Sequence, residues 1–89
     1  MALQCKLTDI YGVNTPLRIR FGAAVKAMRL DTSMSQEAFA DRCGFARSYM
    51  SRLERGNANP SFDAIEKLAI AFDVDVGALF AVQVETTKG

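Results

Sequence analysis

From residue 17 onward, apolar side chains recur at helical spacing. Leu17, Phe21, Ala24, Val25 and Met28 fall at i, i+4, i+7, i+8 and i+11, while Arg18, Arg20 and Lys26 lie elsewhere on the wheel. This predicts a helix over residues 16–29. Thr15 is its expected cap, and Pro16 suits the first helical position, where a missing N–H costs nothing. Asp31-Thr32-Ser33 breaks the stripe. Ser35 then caps a short helix over 35–42, with Glu37 at the positive end of its dipole and Phe39 and Ala40 on its apolar side. Gly44 suits the left-handed conformation that ends a helix sharply. A third helix, 46–55, puts Tyr49, Met50 and Leu53 on one face and Arg47, Ser48, Ser51 and Arg52 on another, and Gly56 stops it.

Beyond the Asn57–Pro60 loop, Ser61 caps a fourth helix whose stripe is Phe62, Ile65, Leu68, Ala69 and Phe72. Asp75 caps a last short helix with Val76, Leu79 and Phe80 turned inward. The expected fold is all-α, a five-helix bundle over residues 16–81, with an N-terminal extension (1–15) and a C-terminal tail (82–89). Leu3, Cys5 and Leu7 alternate with polar neighbours as a short half-buried strand would. Val82 and Val84 alternate too, leaving open a strand pairing between the chain ends, across a dimer included.

Eighty-nine residues make one domain, and a bundle this small buries only about 60% of its unfolded surface, so it gains from a partner. No apolar run approaches the ~18 residues that span a bilayer, and no signal peptide opens the chain, so a cytoplasmic protein is expected. There is no histidine. Ser-His-Asp and Cys-His catalysis and His-ligated metal sites are therefore excluded. Cys5 and Cys43 are too few for an all-thiolate zinc site, and no glycine-rich phosphate loop is present. The expectation is a non-enzyme with no metal, no cofactor and no small-molecule pocket.

Formal net charge is +1, but it is unevenly spread. Residues 17–56 carry eight basic against four acidic side chains, and residues 57–89 carry two against five. The basic half would be drawn to a polyanion, with counterion release adding affinity.

The stretch from Ser35 to Gly56 reads as helix, tight glycine turn, helix. Ala40 is small where the two helices cross, and Met50 and Leu53 lean on the core. The outer face of the second helix is left projecting, thin enough for the major groove. With Asn59-Pro60-Ser61 and Ile65-Glu66-Lys67-Leu68-Ala69, it resembles the lambda repressor-like helix-turn-helix domain of the phage repressor/Cro and xenobiotic-response-element (XRE) regulators. The resemblance covers about residues 17–80. It implies a five-helix DNA-binding bundle that controls transcription from a double-stranded operator, usually as a homodimer. Among small members, Arg47-Ser48-Tyr49 with Glu54-Arg55-Gly56 is similar to restriction–modification controllers.

Carried over by position, Arg47, Ser48 and Arg52 face base edges, with Ala46 and Ser51 flanking. Arginine is the bidentate partner of guanine O6 and N7, and Ala46 suits a thymine methyl. Ser35, Gln36, Tyr49, Asn57 and Asn59 are the expected phosphate contacts. The resemblance implies a buried structural ion pair, Arg29 with Glu54, joining helices 1 and 3. Val76, Leu79, Phe80 and Val82 form the candidate dimer seam. Ala46 departs from the family pattern, since a Ser, Thr or Asn cap is usual there and its loss costs ~1 kcal/mol. The competing reading is a protein-interaction module, an antitoxin or anti-repressor, acting through the acidic C-terminal half.

Overall fold

The computed structural model describes the backbone of residues 15–85 and the side chains of residues 15–80. Five helices follow one another: α1 (Leu17–Asp31), α2 (Gln36–Cys43), α3 (Arg47–Glu54), α4 (Phe62–Phe72) and α5 (Val76–Glu85). No strand occurs among the described residues. The strand expected at Leu3, Cys5 and Leu7 lies outside them. At the other end, α5 runs on to Glu85, past residue 81, so the backbone of Val82 and Val84 is helical and not extended.

Local chemistry sets each boundary. Ser35 and Ser61 cap α2 and α4, their hydroxyls accepting from the N–H groups of Ala38 (3.0 Å) and Ala64 (3.1 Å). Asp75 opens α5 by accepting from the Gly77 N–H at 3.1 Å. α1 starts differently from the expected way. Pro16, not Thr15, is the flanking residue, its carbonyl accepting from Ile19 and Arg20, and no side chain caps the helix. The Thr15 carbonyl instead receives the Nε–H of Arg20 at 3.1 Å. Helices α2 and α4 end in left-handed residues: Gly44 at φ 81°, as expected, and Asp73 at φ 59°. After Gly44, the Phe45 N–H returns to the Ala40 carbonyl at 2.8 Å and closes the turn.

α3 sits between α1 and α2; α4 packs on α2, and α5 bridges α1 and α4. The centre is Val25, Phe39, Met50, Leu53, Leu68 and Leu79, all fully buried, with each such side chain stabilising by roughly 1.5–3 kcal/mol. Phe39 stacks on Phe72 with ring centroids 4.4 Å apart, tying α2 to α4. Two residues of the expected stripes are not core. Leu17 is 57% exposed and Phe62 89% exposed, because each begins its helix at an end of the bundle where no other described element packs over it. Val76 and Phe80 are also partly exposed, while Leu79 is sealed inside.

Gly22, which the hydrophobic pattern did not single out, controls the α1–α3 crossing. A Cβ there would collide with the carbonyl oxygen of Leu53 and press on that of Glu54, both backbone atoms that cannot swing aside. Gly22→Ala is therefore expected to destabilise the fold by about 1–3 kcal/mol, as overpacking does, seen as a lower urea midpoint with an unchanged slope. An unaltered midpoint would show that the crossing relaxes freely.

Candidate nucleic-acid interface

α3 has eight residues, and its two sides differ sharply. Met50, Leu53 and Glu54 are buried; Arg47, Ser48 and Arg52 are exposed, as is Ala46 just before the helix. The outer face that carries the expected base-reading residues is thus open to solvent. Ala46 makes no side-chain cap; its carbonyl accepts from the Tyr49 and Met50 N–H groups, and no side chain caps the exposed start of the helix.

The face is partly braced. Tyr49 is half-buried, its ring edge-on to Phe45 at 5.0 Å, and the Arg52 guanidinium lies 5.5 Å from the Tyr49 ring centroid. That places Arg52 over an aromatic surface that limits its swing while leaving its donors free. Ser51 is half-buried and its hydroxyl accepts from Arg55 Nη1 at 2.7 Å, so it steadies a neighbouring cation. Arg55 itself is exposed; its i, i+4 spacing to Ser51 was the sequence signal for the contact. Asn57 and Asn59 are exposed on the loop that leaves α3.

Arg29 and Glu54 form the expected ion pair, both more than nine-tenths buried. Arg29 Nε meets Glu54 Oε2 at 2.7 Å and Nη2 meets Oε1 at 3.1 Å, while Nη1 donates to the Met34 carbonyl at 2.8 Å. One guanidinium thereby joins the end of α1, the α1–α2 loop and the end of α3. The bond to Glu54 raises the Arg29 pKa further, against the opposing effect of burial. Gln36 belongs to the same network, its Nε2 donating to Glu54 Oε1 at 3.0 Å. This was not foreseen, because residues 18 apart meet only through the tertiary fold. The amide keeps a second N–H, and the Ser35 hydroxyl, already accepting from Ala38, keeps its hydrogen, so both can still donate outward.

Cys43 is buried among apolar neighbours, and burial pushes its pKa up from 9.0 to about 11, only partly opposed by Arg42. Cys5 lies outside the described residues. No group of side chains suited to a metal occurs among the described residues, and no helix among them is long and apolar enough to cross a membrane.

A family model described as a helix-turn-helix domain matches residues 20–82. The control protein C.BamHI of Bacillus amyloliquefaciens is 46% identical over 59 residues, 65% of this chain and 73% of that protein. The control protein C.MunI of a Mycoplasma species is 35% identical over 66 residues, 73% of this chain and 89% of that one. The crystal structure of the restriction-modification controller protein C.AhdI from Aeromonas hydrophila superposes with a TM-score of 0.69 at 38% identity, covering 71% of this chain and 96% of the controller.

Removing either partner of the pair strands a buried charge. Glu54→Ala should cost roughly 3–5 kcal/mol in denaturant unfolding, and a loss under 1 kcal/mol would mean that water reaches Arg29 freely. Cys43 makes a second prediction. An unfolded chain releases this proton near pH 9, whereas the folded chain holds it to about pH 11. The unfolded state then binds fewer protons across that window, so stability falls from pH 9 to 11 and levels off above. Denaturation at stepped pH should show the parent's stability falling relative to Cys43→Ala over that range; parallel curves would contradict it.

Proposed function

The chain belongs to the helix-turn-helix family and is a DNA-binding regulator of transcription, not an enzyme; from that premise we propose that it inserts α3 into the major groove of a duplex operator. The observation that carries this reading is the division of α3 into a face locked by Met50, Leu53 and Glu54 and an open face bearing Arg47, Ser48 and Arg52. A helix held from behind and bare in front is what groove insertion requires.

In this reading Arg47 and Arg52 grip guanine O6 and N7, Ser48 reaches an adjacent base, and Ala46 lies against a thymine methyl. Ser51 flanks them and holds Arg55 at the edge. Ser35, Gln36, Tyr49, Asn57 and Asn59 hold phosphates on either side, fixing the register in which α3 lies. Glu54 orients Gln36 from behind. The protein acts in the cytoplasm as a homodimer, its two α3 helices reading half-sites of a pseudo-palindrome about one turn, ~34 Å, apart. Such a circuit needs no small-molecule ligand, since protein concentration sets occupancy.

Selection from random duplex DNA, followed by titration on the recovered site, tests this. Arg47→Ala and Arg52→Ala should each cost about 1–3 kcal/mol and relax preference at one base position. Gln36→Ala should weaken cognate and random DNA alike, and added salt should weaken binding steeply. An unchanged base preference after both arginine changes would show that another face reads the DNA.

A further inference from the structure

The two arginines of the open face are not held alike. Arg52 follows Tyr49 by about one helical turn, and its guanidinium lies over that ring, 5.5 Å from the centroid. Tyr49 is itself half-buried, and the Phe45 ring meets it at 73° and 5.0 Å, the edge-on arrangement that aromatic quadrupoles favour. Phe45 in turn packs against the core, and its N–H is tied to the Ala40 carbonyl at 2.8 Å across the α2–α3 turn. A line of contact thus runs from the turn through Phe45 and Tyr49 to Arg52. Arg47 stands exposed in the first turn of α3, and no carboxylate or aromatic ring holds it among the described residues.

The kind of contact matters as much as its presence. A guanidinium donates hydrogen bonds in its own plane, whereas an aromatic ring attracts a cation through its face. Arg29 illustrates the first use, its in-plane donors taken up by Glu54 and the Met34 carbonyl. A cation over a ring keeps those donors, and they are the groups that a bidentate contact to guanine O6 and N7 requires. Tyr49 therefore steadies Arg52 without competing with a base for it. Helical side chains lean toward the N-terminus of their helix, so a contact with the preceding turn draws Arg52 toward the end of α3 from which bases are read.

We propose that Phe45 and Tyr49 are positioning residues for base reading: the Tyr49 ring aims Arg52 at one base pair of the operator, and Phe45 holds the ring in place. This deepens the proposed insertion of α3 and rests on that reading. Tyr49 then has two separable parts, a hydroxyl for phosphate and a ring for Arg52. A freely swinging arginine can turn to a neighbouring base or phosphate when its guanine is replaced. One held over a ring has fewer such escapes, so the wrong base is penalised more at that position.

The test is the base preference of the full chain, titrated on the duplex recovered by selection and on versions of it changed one base pair at a time. The positions read by Arg47 and Arg52 are identified from their alanine variants. Tyr49→Phe keeps the ring and loses the hydroxyl, so it should weaken binding to every duplex alike and preserve both preferences. Tyr49→Leu should in addition reduce discrimination at the Arg52 position by about two- to five-fold, the scale of one exposed cation–π contact, and spare the Arg47 position. In an Arg52→Ala background, Tyr49→Leu should do no more than Tyr49→Phe. Phe45→Leu should repeat the selective loss in smaller measure. In the protein free of DNA, the Arg52 Hδ protons should show an upfield ring-current shift that Tyr49→Phe keeps and Tyr49→Leu abolishes.

Equal loss at both positions with a lowered melting temperature overturns the proposal, being the mark of a loosened α3 and not of one misplaced side chain. So does an Arg52 preference that survives Tyr49→Leu, or an Arg52 proton shift indifferent to the ring. An unchanged preference after Phe45→Leu removes Phe45 from the assignment. All of these outcomes leave α3 as the reading helix. That reading fails, and the positioning roles with it, only when neither arginine variant alters any base preference.

Discussion

The bidentate bond between Arg29 and Glu54 is the constraint on which this molecule's geometry rests. Neither charge would tolerate its buried position alone, since each is held out of water and its charge is balanced by the other. Their contact sets where α3 ends relative to α1. Through the Met34 carbonyl it sets the path of the α1–α2 loop, and through Gln36 it sets the entry to α2. Immediately beside it, Gly22 lets the two helices approach until a side chain would strike the Leu53 and Glu54 carbonyls. A polar clamp and a missing methyl group thus act at one crossing, the clamp choosing the angle and the glycine permitting the distance.

That crossing explains how so small a bundle presents a rigid helix to solvent. α3 has only two turns and would not persist as an isolated peptide. It is held from behind by Met50, Leu53 and Glu54, and in front by little more than the Tyr49 ring. The arginines of the open face therefore extend from a firm base. The shared carboxylate of Glu54 links this base to Gln36, so that the first turn of α2 and the end of α3 are tied together.

Much of this was legible in the residues themselves. The stripes of Phe21, Val25, Phe39, Met50, Leu53 and Leu68 located the core, because burial at helical spacing follows from the α-helix's own period. Ser35, Ser61 and Asp75 announced their helices by cap chemistry that needs no tertiary information. The errors lie at element ends. Thr15 gave way to Pro16, whose fixed backbone geometry already places its carbonyl for the first turn. Leu17 and Phe62 obeyed the helical period yet remained outside, since a wheel records direction around a helix and not whether anything stands opposite. Val82 and Val84 alternate as a strand would, but a short alternating run is also compatible with the helix that α5 adopts there.

By itself the amino-acid order determined which segments are helical, which faces are oily, where the turn between α2 and α3 must fall, and which cations lie on the outer side of α3. All of these are set within a few residues of one another by spacing, capping and backbone freedom. Only the packed molecule decided that Gln36 would rest on Glu54, that Gly22 would lie against the Leu53 carbonyl, and that Leu17, Phe62 and Phe80 would surround one open groove. Those relations join positions from 18 to more than 60 residues apart, and no local periodicity encodes the distance between helices that have yet to meet.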